Sequence, residues 1–205
     1  MTTDDTDKQA DLSRFDEVLA LSHAPEGLRE FLAVYEISRG NAVAPSRNNL
    51  DMRRLAKFLP EMSIMERTAP GVVIHRLAGT GLVERIGHDF TGQSVLPLIA
   101  KMEAERIDQG VMVVGEIPCG TFSLYENTYS SGRRVQTETL GLPLDRGTGK
   151  PPYLFLGLHR ALSVIDYQDM KEDRVVDSNW MDGVAIDHGY GVPDSSVMDI
   201  LTRRA

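Results

Sequence analysis

Cysteine and tryptophan are each represented once in this 205-residue chain, by Cys119 and Trp180. A lone cysteine excludes an internal disulfide and any cysteine-based zinc cluster. Aromatic residues are sparse, at 6% of the chain. Long apolar runs are missing: Gly71-Val72-Val73-Ile74 is typical of what there is, whereas a membrane helix needs about 20 such residues. The opening MTTDDTDKQADLSRF has neither a basic start nor an apolar stretch. No secretory signal is therefore expected there, and the cytoplasm is the expected compartment. What is present is ordinary for a globular chain, with 41% hydrophobic and 25% charged residues, a balance that argues against full disorder.

Positive charge is scarce at both ends. Residues 1–24 carry six acidic and two basic side chains, and residues 165–205 carry nine and four. The middle, 25–164, is nearly neutral, with fifteen acidic and sixteen basic groups. Most of the net charge of −8 thus lies in the flanks. An acidic surface repels phosphate backbones, so nucleic acid is an unsuitable partner. The expected organisation is a flexible or helical flank at 1–24, a central domain at 25–164 and an acidic extension at 165–205.

Periodicity supplies the elements. A short helix is expected over Asp11–Leu21, and Pro25 suits the first turn of a second. Leu28, Phe31, Leu32 and Tyr35 then fall at i, i+3, i+4 and i+7, which is one apolar stripe. Gly40-Asn41 ends it, and a third short helix is expected over Leu50–Phe58. Met62–Arg67 and Val72–Ala78 read as strands joined by a Pro70-Gly71 turn. Helices are expected over Thr80–Ile86 and Val95–Gln109, then strands over Cys119–Thr128, Arg133–Leu144 and Pro152–Leu162. The last strand has apolar residues on both faces, which places it centrally in a sheet covered on both sides. These five strands, with short hairpin connections, imply a mainly antiparallel sheet in an α+β domain. A final helix is expected over Ser195–Arg204.

Between Leu32 and Ile99 the chain resembles the bacterial single-domain PAS family. The resemblance rests on Pro45-Ser46-Arg47, on Leu59-Pro60, and on the run HRLAGTGLVERIGHDFTGQS. Within that run Arg76, Gly79-Thr80, Gly87, Asp89 and Thr91-Gly92 follow the family's pattern. The resemblance implies a five-stranded antiparallel sheet in the order 2-1-5-4-3, with helices crossing one face. It also implies a sensory or interaction module that holds small molecules between sheet and helices or pairs with other proteins. No kinase, cyclase or DNA-binding output segment is recognisable, so a signal must leave through a partner protein or a dimer.

The residues bear on this expectation unevenly. Haem needs an axial ligand, and none of His23, His75, His88, His159 and His188 lies in the Val95–Gln109 helix, where a haem-binding relative would carry it. The flavin-photochemistry motif of light-sensing relatives is absent around Cys119, whose commonest role is a small buried apolar side chain. No cofactor and no metal is called for. Catalysis has no motif behind it: there is no Gly-x-Ser-x-Gly elbow, and only proximity across a sheet would pair His75 with Glu84 or His159 with Glu138. Gly147-Thr148-Gly149-Lys150 lacks the full spacing of a phosphate loop and reads as a hairpin loop.

Arg76, inside an apolar strand, must be paired or reach water. It either grips an anionic ligand or pairs with a carboxylate such as Asp89 or Glu138. Gly79, Gly87 and Gly92 serve backbone geometry, and Asp89, Thr80 and Thr91 belong to the same turn-rich motif. Phe122, Tyr125, Thr137 and Phe155, with Arg76, are the candidate ligand-binding residues, because mixed apolar and polar linings suit small-molecule sites. The stripe of Leu28, Phe31, Leu32 and Tyr35 needs a cover, either a second copy in a homodimer or the chain's own sheet. The expected function is a non-enzymatic sensory module acting through protein partners, with a small-molecule ligand as an option. The alternatives are a small-molecule isomerase or hydrolase of α+β fold, and an adaptor working through the acidic tail around Trp180.

Overall fold

The computed structural model describes residues 10–94, 101–145, 154–162, 173 and 175–194. Its strands are β1 (Met62–Ala69), β2 (Val72–Ala78), β3 (Gly120–Tyr129), β4 (Arg134–Leu144), β5 (Leu154–Ala161) and β6 (Val175–Ile186). They form one antiparallel sheet in the order β2-β1-β5-β4-β3-β6. The expected 2-1-5-4-3 order is present, and β5 is interior to the sheet. The expectation of five strands is corrected to six, because residues 175–186 of the acidic extension pair with β3 from Gly120↔Ile186 to Tyr129↔Val175.

The register divides the sheet into two chemically different faces. Side chains alternate along a strand, so the cross-strand pairs Leu142↔Leu156, Leu140↔Leu158 and Ile64↔Leu156 place aliphatic groups on one face. Phe122, opposite Leu140, joins them. The pairs Thr139↔His159, Ser123↔Thr139 and Ser63↔Gly157 lie on the other face.

The apolar face is covered by the N-terminal helices. These are α1 (Asp16–Leu21), entered through a 3₁₀ turn at Ser13–Phe15, and α2 (Pro25–Arg39). Pro25 occupies the first turn of α2, and Glu26 lies there as well, favourably placed at the positive end of the helix dipole. The stripe Leu28, Phe31, Leu32 and Tyr35 is at most 1% exposed and packs in one core with Leu142, Leu156 and Leu158. Each such side chain contributes about 1.5–3 kcal/mol by leaving water. Tyr35 Oη also donates to the Pro143 carbonyl at 2.8 Å. The cover that the stripe requires is therefore the chain's own sheet. This corrects the expectation of a dimer through these four residues, since none of them is left at the surface.

The polar face meets α3 (Thr80–Ile86) and α4 (Lys101–Glu116). Val114 and Cys119 pack against Phe155 there, and the Arg67 guanidinium binds both oxygens of Asp108 at 2.7 and 3.1 Å. Helices thus flank both faces, where the family resemblance implied one. Gly79 starts α3 hard against the preceding turn: a Cβ there would lie 2.1 Å from the Leu59 carbonyl oxygen.

Two helix expectations change. The segment expected as a helix over Leu50–Phe58 is a series of turns ending in a 3₁₀ helix, Ala56–Glu61. Asp51 Oδ1 accepts the N–H groups of Arg53 and Arg54, and Pro60 supplies no donor. The expected helix over Val95–Gln109 is observed over Lys101–Glu116. It runs through Gly110, whose cost inside a helix is only about 1 kcal/mol. Residues 95–100, the 147–150 loop and the expected helix at 195–204 lie outside the described residues. Among the described residues no helix is long and apolar enough to cross a membrane.

Candidate functional site

The polar face carries a hydrogen-bonded row of side chains across the sheet. Ser63 Oγ on β1 lies 2.8 Å from His159 Nε2 on β5, and His159 Nδ1 lies 3.4 Å from Thr139 Oγ1 on β4. Further along, Asn127 Nδ2 on β3 donates to Thr137 Oγ1 on β4 at 3.0 Å, and Ser178 Oγ on β6 donates to Asn127 Oδ1 at 2.7 Å. Gly157 keeps the centre of the row open. A Cβ there would come within 2.4 Å of Ser63 Oγ and 2.7 Å of His159 Nε2.

Two histidines on this face are held neutral. Burial, reinforced by the Arg85 guanidinium and by competition with His75 for a proton, pulls His159 down to about 3. Burial alone pulls His75 to about 4. The His75 ring stands edge-on to Phe90 at 4.6 Å. His75 Nδ1 and Ser94 Oγ are both buried with no hydrogen-bond partner among the described residues. Arg85 donates to the His159 carbonyl at 2.8 Å and sits 3.5 Å from Glu61. The face therefore offers neutral donors and acceptors, with its nearby guanidinium already engaged.

The Ser63–His159 spacing resembles a nucleophile beside its base. An imidazole that protonates only near pH 3 is a poor base at neutral pH, however. Glu138 cannot pair with His159, because it alternates onto the opposite face of the sheet, opposite Arg160. His75 is buried while Glu84 is exposed. Cys119 is buried and its thiol is pushed up to about 11, first by burial and then by Asp187, so it remains protonated. Among the described residues no group of three or more histidine, cysteine, aspartate or glutamate side chains is placed to hold a metal.

On the apolar side, the same strands grip the N-terminal helices. Glu138, 2% exposed, accepts hydrogen bonds from the Ser22 hydroxyl and the His23 backbone N–H, and His23 Nδ1 lies 3.3 Å away. Next to it Arg160 donates to the Ala24 carbonyl at 2.9 Å. Both residues thus hold the α1–α2 connection, while their chain neighbours Thr137, Thr139 and His159 line the opposite face.

The sequence-predicted ligand residues do not converge. Tyr125, Thr137 and Phe155 share the polar face, whereas Phe122 belongs to the core beneath α2. Arg76 lies apart from both, and its partner is Glu66, at 2.6 Å, instead of Asp89 or Glu138. Asp89 accepts the Thr91 N–H at 2.9 Å within its own turn, which holds its carboxyl below the usual range. Thr80 opens α3, Gly87 closes it at φ 86°, and Gly92 turns at φ 80°. Ser63, Asn127 and Ser178 were missed as site residues. The alternate hydroxyls of Thr121 and Ser123, then Thr137 and Thr139, were the available signal for a polar sheet face.

An antiparallel sheet with helices on both sides and a hydrogen-bonded polar face defines an α+β domain. The chain belongs to the PAS domain family, whose model matches residues 23–159. A similar solved structure is described as "Flavin Analogue Sheds Light on Light-Oxygen-Voltage Domain Mechanism". It is 18% identical, with a TM-score of 0.39, and the match covers 54% of this chain and 83% of that one. No curated protein matches the sequence. PAS membership places this chain among sensory modules.

Proposed function

We propose that this sensory module holds a small uncharged molecule on the polar sheet face and passes the change to a partner protein. The observation that carries the reading is the row from Ser63 through His159 to Thr139, with both histidines of that face neutral. Ordinary cores satisfy buried polar groups and otherwise fill with apolar side chains. Here the larger apolar core is on the other face, under α2, and the polar face carries only the smaller cluster of Val114, Cys119 and Phe155. A charged ligand would find no free counter-ion in the row, whereas a neutral one with donors and acceptors would match it.

The route to a partner runs through the strands themselves. A ligand that shifts Thr139 or His159 also shifts the adjoining Glu138 and Arg160, which hold the α1–α2 connection. The partner is a protein, or a second copy of this chain meeting a surface other than the α2 stripe. The cytoplasm suits such a module.

Native mass spectrometry of the protein as purified tests both parts at once. It is expected to show a small-molecule adduct that is lost on Thr139→Tyr, with that variant still folded by circular dichroism. Absence of any adduct, together with no metabolite-dependent rise in Tm, would sink the ligand reading. The subunit number read in the same spectrum reports whether a second copy is the partner.

A further inference from the structure

Away from the polar row, the α1–α2 side of the sheet carries an opening of its own. A cleft of about 510 Å³ opens there, lined by Ser46, Arg47, Asn48, Glu66, Arg76, Asp145 and Leu154. We infer that this cleft binds the carboxylate of a small organic monoanion between the Arg47 and Arg76 guanidiniums, with the ligand's apolar body against Leu154. The proposal does not depend on the polar face holding a ligand.

Among the described residues, the lining of the cleft is held by contacts of its own. Ser46 bridges Asp145, and the Asp145 N–H donates to the Pro45 carbonyl at 2.9 Å, pinning the loop to the end of β4. Buried Ala44 and Leu50 anchor the loop on either side. Arg47 begins the 3₁₀ turn Arg47–Asn49 and is exposed, with no ion pair among the described residues. Arg76 is oriented by Glu66, which takes only its Nε, and its side chain remains 40% exposed. Its terminal nitrogens are therefore presented to solvent on a fixed stem.

Guanidinium forks match the planar, bidentate geometry of a carboxylate. Glu66 is paired with Arg76, and Asp145 is the other carboxylate of the lining. The apolar wall offered by Leu154 suits the body of an organic carboxylate and offers inorganic phosphate nothing. Ser46 and Asn48 add neutral hydrogen-bonding groups at the rim. The volume falls within the range of small-molecule sites.

The test is a backbone amide NMR titration of the full chain with butyrate, with neutral butyramide and inorganic phosphate as controls. Butyrate is expected to shift the Ser46, Arg47, Asn48 and Arg76 amides saturably, and butyramide to bind at least about tenfold more weakly. Arg47→Gln breaks no ion pair among the described residues and should weaken butyrate about tenfold. Arg76→Lys keeps a charge for Glu66 but loses the fork, and should weaken it similarly. No saturable butyrate shift, equal binding of butyramide, tighter binding of phosphate, or an Arg47→Gln variant that binds as well as wild type would each overturn the proposal. Amides of Ser63, Thr139 and His159 report the other face, so failure here is distinguishable from failure of the reading above.

Discussion

Replacing His188 with leucine should stabilise this protein and flatten its stability in mild acid. His188 follows β6 and is 3% exposed, with its ring edge-on to Phe15 at 5.9 Å and to Tyr35 at 5.8 Å. Neither ring nitrogen has a hydrogen-bond partner among the described residues. Burial lowers its pKa from 6.5 to about 4. Arg14 and Arg39 push it the same way, and Asp187 opposes them. Glu36, between those two arginines, is already paired with both. Between pH 6.5 and 4 the unfolded chain binds a proton at this residue that the native state refuses. Native stability therefore falls as pH falls through that window. At 1.36 kcal/mol per pKa unit the full loss is about 3 kcal/mol, of which about 2 is spent by pH 5. At pH 7.5 the leucine variant should gain about 1–2 kcal/mol by removing unsatisfied buried nitrogens. Urea unfolding followed by fluorescence of Trp180, the sole tryptophan, at pH 7.5 and 5.0 measures both quantities. His75 and His159 have lowered pKa values too, so the difference between variant and wild type isolates His188. Equal pH slopes for the two proteins, or a variant weaker at pH 7.5, would refute the reasoning.

Glu138→Ala removes the acceptor that holds Ser22 and His23, and should cost about 2–4 kcal/mol. Hydrogen exchange should rise first across α1 and the start of α2. Exchange rising uniformly over the sheet would contradict that assignment. Gly79→Ala drives a methyl into the Leu59 and Pro60 carbonyls, 2.1 and 2.4 Å away, and should cost about 3 kcal/mol or more in a denaturant melt. A near-neutral result would mean that the start of α3 moves freely.

The sheet was legible where burial imposes a pattern. Leu154, Leu156 and Leu158 alternate with Phe155, Gly157 and His159, and a strand with apolar groups on both sides has to be interior. The α2 stripe was equally plain from its spacing. β6 was hidden because it is an edge strand with one partner: Val176 is 63% and Met181 44% exposed, and Asp177 and Asp182 interrupt it. Its pairing is made by the β3 backbone, which leaves no periodic trace in side-chain type. The candidate site was half visible. Tyr125, Thr137 and Phe155 do share a face, but bulges and register sent Arg76 and Phe122 elsewhere.

Local chemistry, written residue by residue, determined the starts of α2 and α3, the Pro70-Gly71 turn, the central strand and the presence of a stripe that had to be covered. Tertiary structure alone decided that the cover is the chain's own sheet, that Arg76 pairs with Glu66, and that Ser63 and His159 meet. The reason is distance along the chain. Periodicity records only whether a side chain faces water or protein, while a contact between residues 63 and 159 depends on how whole strands are ordered and registered against one another.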